Sequence, residues 1–135
     1  MRAFIFLHLI SFLHLSYVET STLQTAPLQL RELHVCAPLS HVPKSIGQLK
    51  YLQRIVIHDM NYGTALLERL PNEFCNLRFL KYLILEGFSR IVSLPDRFGC
   101  LTNLQHITLE GAHSLQMLPN SFGNLTSLET LNVSR

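Results

Sequence analysis

The segments LPDRFGCLTNL at 94–104 and LPNSFGNLTSL at 118–128 lie 24 positions apart and share Leu, Pro, Phe, Gly, Leu, Thr and Leu at matching places. A chain that repeats at this period is tightly constrained, because a unit this short cannot bury its own apolar side and must stack on its neighbours. The match extends backwards to LPNEFCNLRFL at 70–80 and VPKSIGQLKYL at 42–52. Each copy leads into the pattern L-x-x-L-x-L: Leu52/Ile55/Ile57, Leu80/Leu83/Leu85, Leu104/Ile107/Leu109 and Leu128/Leu131/Val133, with an earlier one at Leu30/Leu33/Val35. The copies therefore start at Leu30, Leu52, Leu80, Leu104 and Leu128.

Seven apolar positions recur in the two copies that begin at Leu80 and Leu104. They are Leu80, Leu83, Leu85, Ile91, Leu94, Phe98 and Leu101, then Leu104, Ile107, Leu109, Leu115, Leu118, Phe122 and Leu125. The copy from Leu52 keeps this ladder through Leu67, Leu70, Phe74 and Leu77 after an insertion near 61–64; the copy from Leu30 keeps it through Leu39, Val42, Ile46 and Leu49. The L-x-L core alternates as a half-buried strand does. In the second half a Pro precedes apolar residues three apart, such as Phe122, Leu125 and Leu128. That spacing predicts a turn or two of helix, and the Gly47, Gly99 and Gly123 inside it point to short or 3₁₀-like helices. Cys75 stands where those glycines do, so the position does not require a positive φ. The expected fold is α/β: a curved solenoid of 20–29-residue repeats with parallel strands on the concave face and short helices or 3₁₀ turns on the convex face. Leu118, Phe122, Leu125 and Leu128 are expected to face the core.

The strands LEG at 85–87 and 109–111 and the turns that follow carry a more specific likeness. LEGFSRIVSLPDRFGCLTNL and LEGAHSLQMLPNSFGNLTSL resemble the leucine-rich repeats of plant disease-resistance proteins, which also hold a nucleotide-binding domain upstream. The resemblance covers residue 28 to the C-terminus, and it implies an intracellular recognition region of an immune receptor. The phosphate loop G-x-x-x-x-G-K-[ST] does not occur in the chain, so nucleotide binding is not carried over. Ras-suppressor-type signalling scaffolds share the LPxxF half, and a secreted leucine-rich-repeat protein is a further alternative.

Residues 1–27 have two readings. MRAFIFLHLISFLHLSYV at 1–18 is signal-like: basic at the start, then apolar. It also fits a degenerate first repeat, with Phe4, Leu7 and Ile10 in the convex half and Ile10/Leu13/Leu15 as the strand, which would set His14 beside His34. Residues 28–135 then form a domain of about five repeats that ends without a polar capping unit, as a truncated solenoid would. The expected location is cytoplasmic, or secreted if the segment 1–18 acts as a signal; Asn124-Leu-Thr and Asn132-Val-Ser would accept glycans only in the secreted case.

Several function classes find no support. Eleven basic and nine acidic residues are scattered without a basic run for nucleic acid, and no stretch is suited to stable membrane insertion. Cys36, Cys75 and Cys100 are too widely spaced for a disulfide framework or zinc site, and are expected as buried or half-buried thiols. The seven histidines form no metal-binding pattern, no nucleophile motif is present, and no cofactor is implied. The chain reads as non-catalytic.

The variable positions of the strands remain as the functional surface. One column reads Glu32, Arg54, Tyr82, His106, Thr130; the next His34, Val56, Ile84, Thr108, Asn132; the third Cys36, His58, Glu86, Glu110, Ser134. Strands about 4.8 Å apart make a strip roughly 20–25 Å long, which suits a protein or peptide ligand, or companion domains of a larger receptor. Tyr82, Val56 and Ile84 would form its apolar centre and Arg54, Glu86 and Glu110 its polar surround.

Overall fold

The computed structural model describes residues 2–6, 31–36, 38–59 and 65–134. Within them one parallel sheet runs in chain order: β1 (Arg2–Phe6), β2 (Glu32–Cys36), β3 (Arg54–His58), β4 (Tyr82–Glu86), β5 (His106–Glu110) and β6 (Thr130–Asn132). Leu33, Ile55, Leu83, Ile107 and Leu131 stand in one register row. The second row is Val35, Ile57, Leu85 and Leu109. These rows point into the core, and all but Leu131 are buried.

The convex side consists of 3₁₀ turns at Lys44–Gln48, Asn72–Asn76, Phe98–Cys100 and Asn120–Asn124. No α-helix occurs among the described residues. The apolar period of three in this half matches the three residues per turn of a 3₁₀ helix, so each turn drops one side chain onto the core. Pro43, Pro71 and Pro119 precede three of the turns with ψ near 150°, the extended geometry that opens a helix without needing a donor. Phe74, Phe98, Leu77 and Leu101 are buried beneath these turns, and the Phe98 and Phe122 rings stack at 6.1 Å.

Adjacent coils share backbone hydrogen bonds on three sides. The strands supply one set. The residues leaving them supply a second: Asp59 N–H donates to Glu86 O, Gly87 N–H to Glu110 O and Gly111 N–H to Ser134 O. On the far flank, bridges join Arg69 to Ser93 and Ser93 to Met117. Gly87 and Gly111 have φ of +85° and +77°, a region that costs other residues strain. A Cβ on Gly87 would also lie 2.9 Å from Asp59 O. Asp59 takes this corner in the coil that holds the insertion; it is buried, and its Oδ2 accepts from Ala65 N–H at 2.9 Å.

Gly47 and Gly99 serve a different purpose. A Cβ on Gly47 would lie 2.6 Å from Glu73 O, and one on Gly99 would overlap Ser121 O. These glycines let the backbone of the next 3₁₀ turn approach, and neither has a positive φ.

Four expectations require correction. Leu118 is 37% exposed instead of facing the core, whereas Leu125 is buried and Phe122 and Leu128, partly buried, pack against the core as expected. Cys36 is exposed at the end of its strand, while Cys75 is buried and Cys100 intermediate. Phe4 lies in β1 rather than in a convex half; Ala3 and Ile5 take the register of Leu33 and Val35, and Phe4 rather than His14 is the partner of His34. The largely apolar run AFIFLHLISFLHL, broken only by His8, Ser11 and His14, has no regular polar alternation to fix the phase of a strand. Leu7, Ile10, Leu13, His14 and Leu15, like the 61–64 insertion, lie outside the described residues. The fourth correction, at Val56, belongs to the strand face.

Candidate functional site

The strand face displays the three columns in the expected rows, because the register pairs Glu32 with Arg54, Arg54 with Tyr82, Tyr82 with His106 and His106 with Thr130. In the first column these residues form a continuous stack. The Arg54 guanidinium lies 5.3 Å from the centroid of the Tyr82 ring, within the reach of a cation–π contact. Tyr82 stacks on His106 with centroids 4.7 Å apart and planes 11° from parallel. His106 Nδ1 is 2.7 Å from Thr130 Oγ1, and its Nε2 is 3.8 Å from Glu129. Four side chains from four strands are thus held as one row, each half-buried apart from the exposed Thr130.

The middle column is less open than its sequence suggests. Val56 is only 3% exposed, so it acts as the floor of the strip and not as a contact on it. In the sheet register it lies between His34 and Ile84. His34, Ile84 and Thr108 are half-buried and line the same trough.

The third column carries the charge. His58 Nδ1–H donates to Glu86 Oε2 at 2.6 Å, a charge-assisted geometry that holds the carboxylate in place. Glu110 is the register partner of Glu86 and is exposed, leaving two carboxylates side by side on this edge. The strip therefore has a cationic and aromatic edge at Arg54–Tyr82–His106, an apolar trough at Val56 and Ile84, and an acidic edge at Glu86 and Glu110. Glu32 lies beside Arg54 at the far end of the first column.

Sequence columns placed all eleven candidate residues on this one face, but not the stacking within the first column or the part of Glu129. The signal for the latter was present: Glu129 and Thr130 hold the places in their repeat that Gln105 and His106 hold in the one before. Among the described residues no group of three or more His, Cys, Asp and Glu side chains is placed to hold a metal ion, and no helix is long and apolar enough to cross a membrane. A shallow open groove lined by Glu68, Arg90, Val92, His113 and Gln116 lies on the flank where the chain leaves the strands, away from this strip.

Comparison with known proteins agrees with the geometry. No curated protein sequence matches the chain significantly. A solved leucine-rich-repeat protein of Leptospira interrogans is similar to it, with a TM-score of 0.63 and 32% identity over 73% of this chain. The chain spans about a quarter of that protein, 24% of its length. A family model described as a leucine-rich repeat region matches residues 7–134. With that match over nearly the whole chain and the coil-by-coil register, the protein belongs to the leucine-rich-repeat family.

Proposed function

We propose that this protein is a non-catalytic recognition module that holds a protein or peptide against its strand face. The observation that carries this reading is the Arg54–Tyr82–His106 row, a preorganised aromatic and cationic edge above an apolar trough. Arg and Tyr dominate binding energy where they are held rigid and can be desolvated, and stacking has already fixed these side chains. The open strip suits a chain or a protein edge, whereas small-molecule sites are concave and largely enclose their ligands.

The likeness of LEGFSRIVSLPDRF and LEGAHSLQMLPNSF to plant disease-resistance repeats supports a finer reading. In it the chain is a recognition segment of an intracellular immune receptor, works in the cytoplasm, and binds either a foreign protein or a companion domain of the same receptor. Intact-mass measurement of the N-terminus, with glycan analysis at Asn124 and Asn132, tests the location. An uncleaved and unglycosylated chain fits the cytoplasm; loss of the apolar N-terminal segment, with sugar on Asn124, makes it a secreted protein.

The binding face is tested by placing a photo-cross-linking amino acid at Ile84 and, separately, at the convex position Asn72, in protein expressed in plant cells. Adducts are expected from Ile84 and should disappear when Tyr82→Ala or Arg54→Glu is added. Adducts from Asn72 alone, or adducts at Ile84 indifferent to both changes, would reject this face.

A further inference from the structure

A second surface lies on the flank where each coil rises into its strand. The residues just before the buried leucines of this rise are Lys50-Tyr51 and Arg78-Phe79 in two successive coils, then Thr102-Asn103 and Thr126-Ser127 in the next two. Leu52, Leu80 and Leu104 fill the core in the same manner, so the turn itself has no need of an aromatic at this place. Yet Tyr51 is 52% exposed and Phe79 50%. Their rings stack with centroids 5.9 Å apart and planes at 21°. Two large rings left half in water are costly surface unless something covers them.

Cations frame the pair. Lys50 and Arg78 stand on the same turns. Arg31 and Lys81 belong to the next row, where Gln53 N–H donates to Arg31 O at 2.7 Å and Lys81 N–H donates to Gln53 O at 2.8 Å. All four are exposed, and none forms an ion pair among the described residues. The row continues through Gln105 to Glu129, so its positive charge lies at Arg31 and Lys81, in or next to the coils that carry the rings. The chain has no basic run, and the patch arises because two successive repeats set Lys50 beside Arg78 and Tyr51 beside Phe79.

We propose that this flank is a docking site, separate from the strand face, for an acidic protein segment that lays an apolar side chain over Tyr51 and Phe79 and presents carboxylates to Lys50, Arg78, Lys81 and Arg31. Charge complementarity selects the acidic partner, and the ring pair gives it an apolar anchor. Stacked aromatic platforms with cations also serve single-stranded nucleic acid. Here the two rings already lie against each other, so no base can enter between them, and the charge is limited to four side chains, Arg31, Lys50, Arg78 and Lys81.

The test uses the full chain and a fluorescein-labelled acidic dodecapeptide in which a central Leu-Phe pair is flanked by Glu and Asp. Fluorescence anisotropy follows binding at low and high salt, beside a Ser-for-Leu-Phe peptide and a dT oligonucleotide. Saturable binding is expected that weakens with salt and falls at least about tenfold in Lys50→Glu/Arg78→Glu. It should fall similarly in Tyr51→Asn/Phe79→Asn, which installs a side chain that the next coil already carries at Asn103. Tyr82→Ala should leave it unchanged, which separates this site from the strand face. All variants should keep the wild-type urea midpoint. Absence of binding up to about 1 mM peptide, equal affinity of the variants, indifference to the Leu-Phe pair, or tighter binding of the oligonucleotide would each overturn the proposal.

Discussion

Replacing Gly99 by alanine tests how closely the coils are stacked. Gly47, Gly99 and Gly123 hold the same place in their 3₁₀ turns, but they face different surroundings. At Gly99 a new Cβ would overlap the carbonyl oxygen of Ser121 and sit 2.6 Å from its carbonyl carbon. The obstacle is backbone, so no rotamer change relieves it, and the two turns must move apart. Overpacking of this kind costs about 1–3 kcal/mol. The shift also strains the hydrogen bond from Gly99 N–H to Ser121 Oγ, 2.9 Å long, a bond type that contributes about 0.5–1.5 kcal/mol. Against this stands a gain of about 0.4–1 kcal/mol from stiffening the unfolded chain. The net loss is about 0.5–4 kcal/mol, centred near 2 kcal/mol. With a urea slope of about 1–3 kcal/mol per molar, the midpoint should fall by roughly 1 M. Gly123→Ala is the internal control, because nothing lies within 4 Å of its added Cβ. It should leave the midpoint unchanged or raise it slightly. Urea titrations of the three proteins followed by circular dichroism decide the matter. Coincident midpoints for the two variants, or a Gly99→Ala protein as stable as wild type, would refute the close-approach argument.

Other perturbations probe the core and its corners. Leu109→Asp sets a carboxylate at a fully buried strand position, and should cost more than about 4 kcal/mol, enough to abolish a cooperative urea transition; a retained wild-type midpoint would show that Leu109 is not in the core. Asp59→Ala removes the acceptor of the buried Ala65 N–H, with an expected loss of about 1–3 kcal/mol, whereas Asp59→Asn, which keeps a side-chain oxygen, should recover part of it in the same titration. Burial, with the Cys100 thiol nearby as a smaller contribution, raises the Cys75 thiol from 9.0 to about 11. The unfolded chain therefore loses this proton first, and the associated stability is fully present below pH 9 and is lost as pH rises towards about 11. At about 1.4 kcal/mol per unit the loss approaches 2–3 kcal/mol. Cys75→Ala should show a smaller alkaline decline in urea midpoint than wild type, and identical declines would remove Cys75 as the cause.

Much of the architecture was legible in the chain because repetition makes position carry information. Leu83 and Ile107 could be set in one row from a spacing of 24, and the sheet register does so. The insertion between Ile57 and Leu67 did not obscure the ladder, since length variation falls in the connection between buried positions. Where repetition fails, so does the reading: the apolar run at the N-terminus offers no clear phase, and Phe4, expected in a convex half, lies in the strand Arg2–Phe6.

The surface was legible by column and not by contact. Sequence spacing put Arg54, Tyr82 and His106 on one face, but whether they stack depends on side-chain directions set by neighbouring strands. Val56 shows the same limit. Its column predicts an exposed contact, and the side chains packed around it leave it buried.

The amino-acid sequence by itself determined the stacked repeat, a short helical or 3₁₀ turn on the convex side of each coil, and the columns of the strand face, because apolar period and Pro and Gly placement act locally within each coil. Only the tertiary structure decided why Gly99 must lack a side chain while Gly123 need not, which strand residues lie on the floor of the strip, and that Tyr51 and Phe79 meet in a basic patch. Those properties belong to the space between coils, where side chains from successive repeats come within van der Waals distance, and no single repeat contains them.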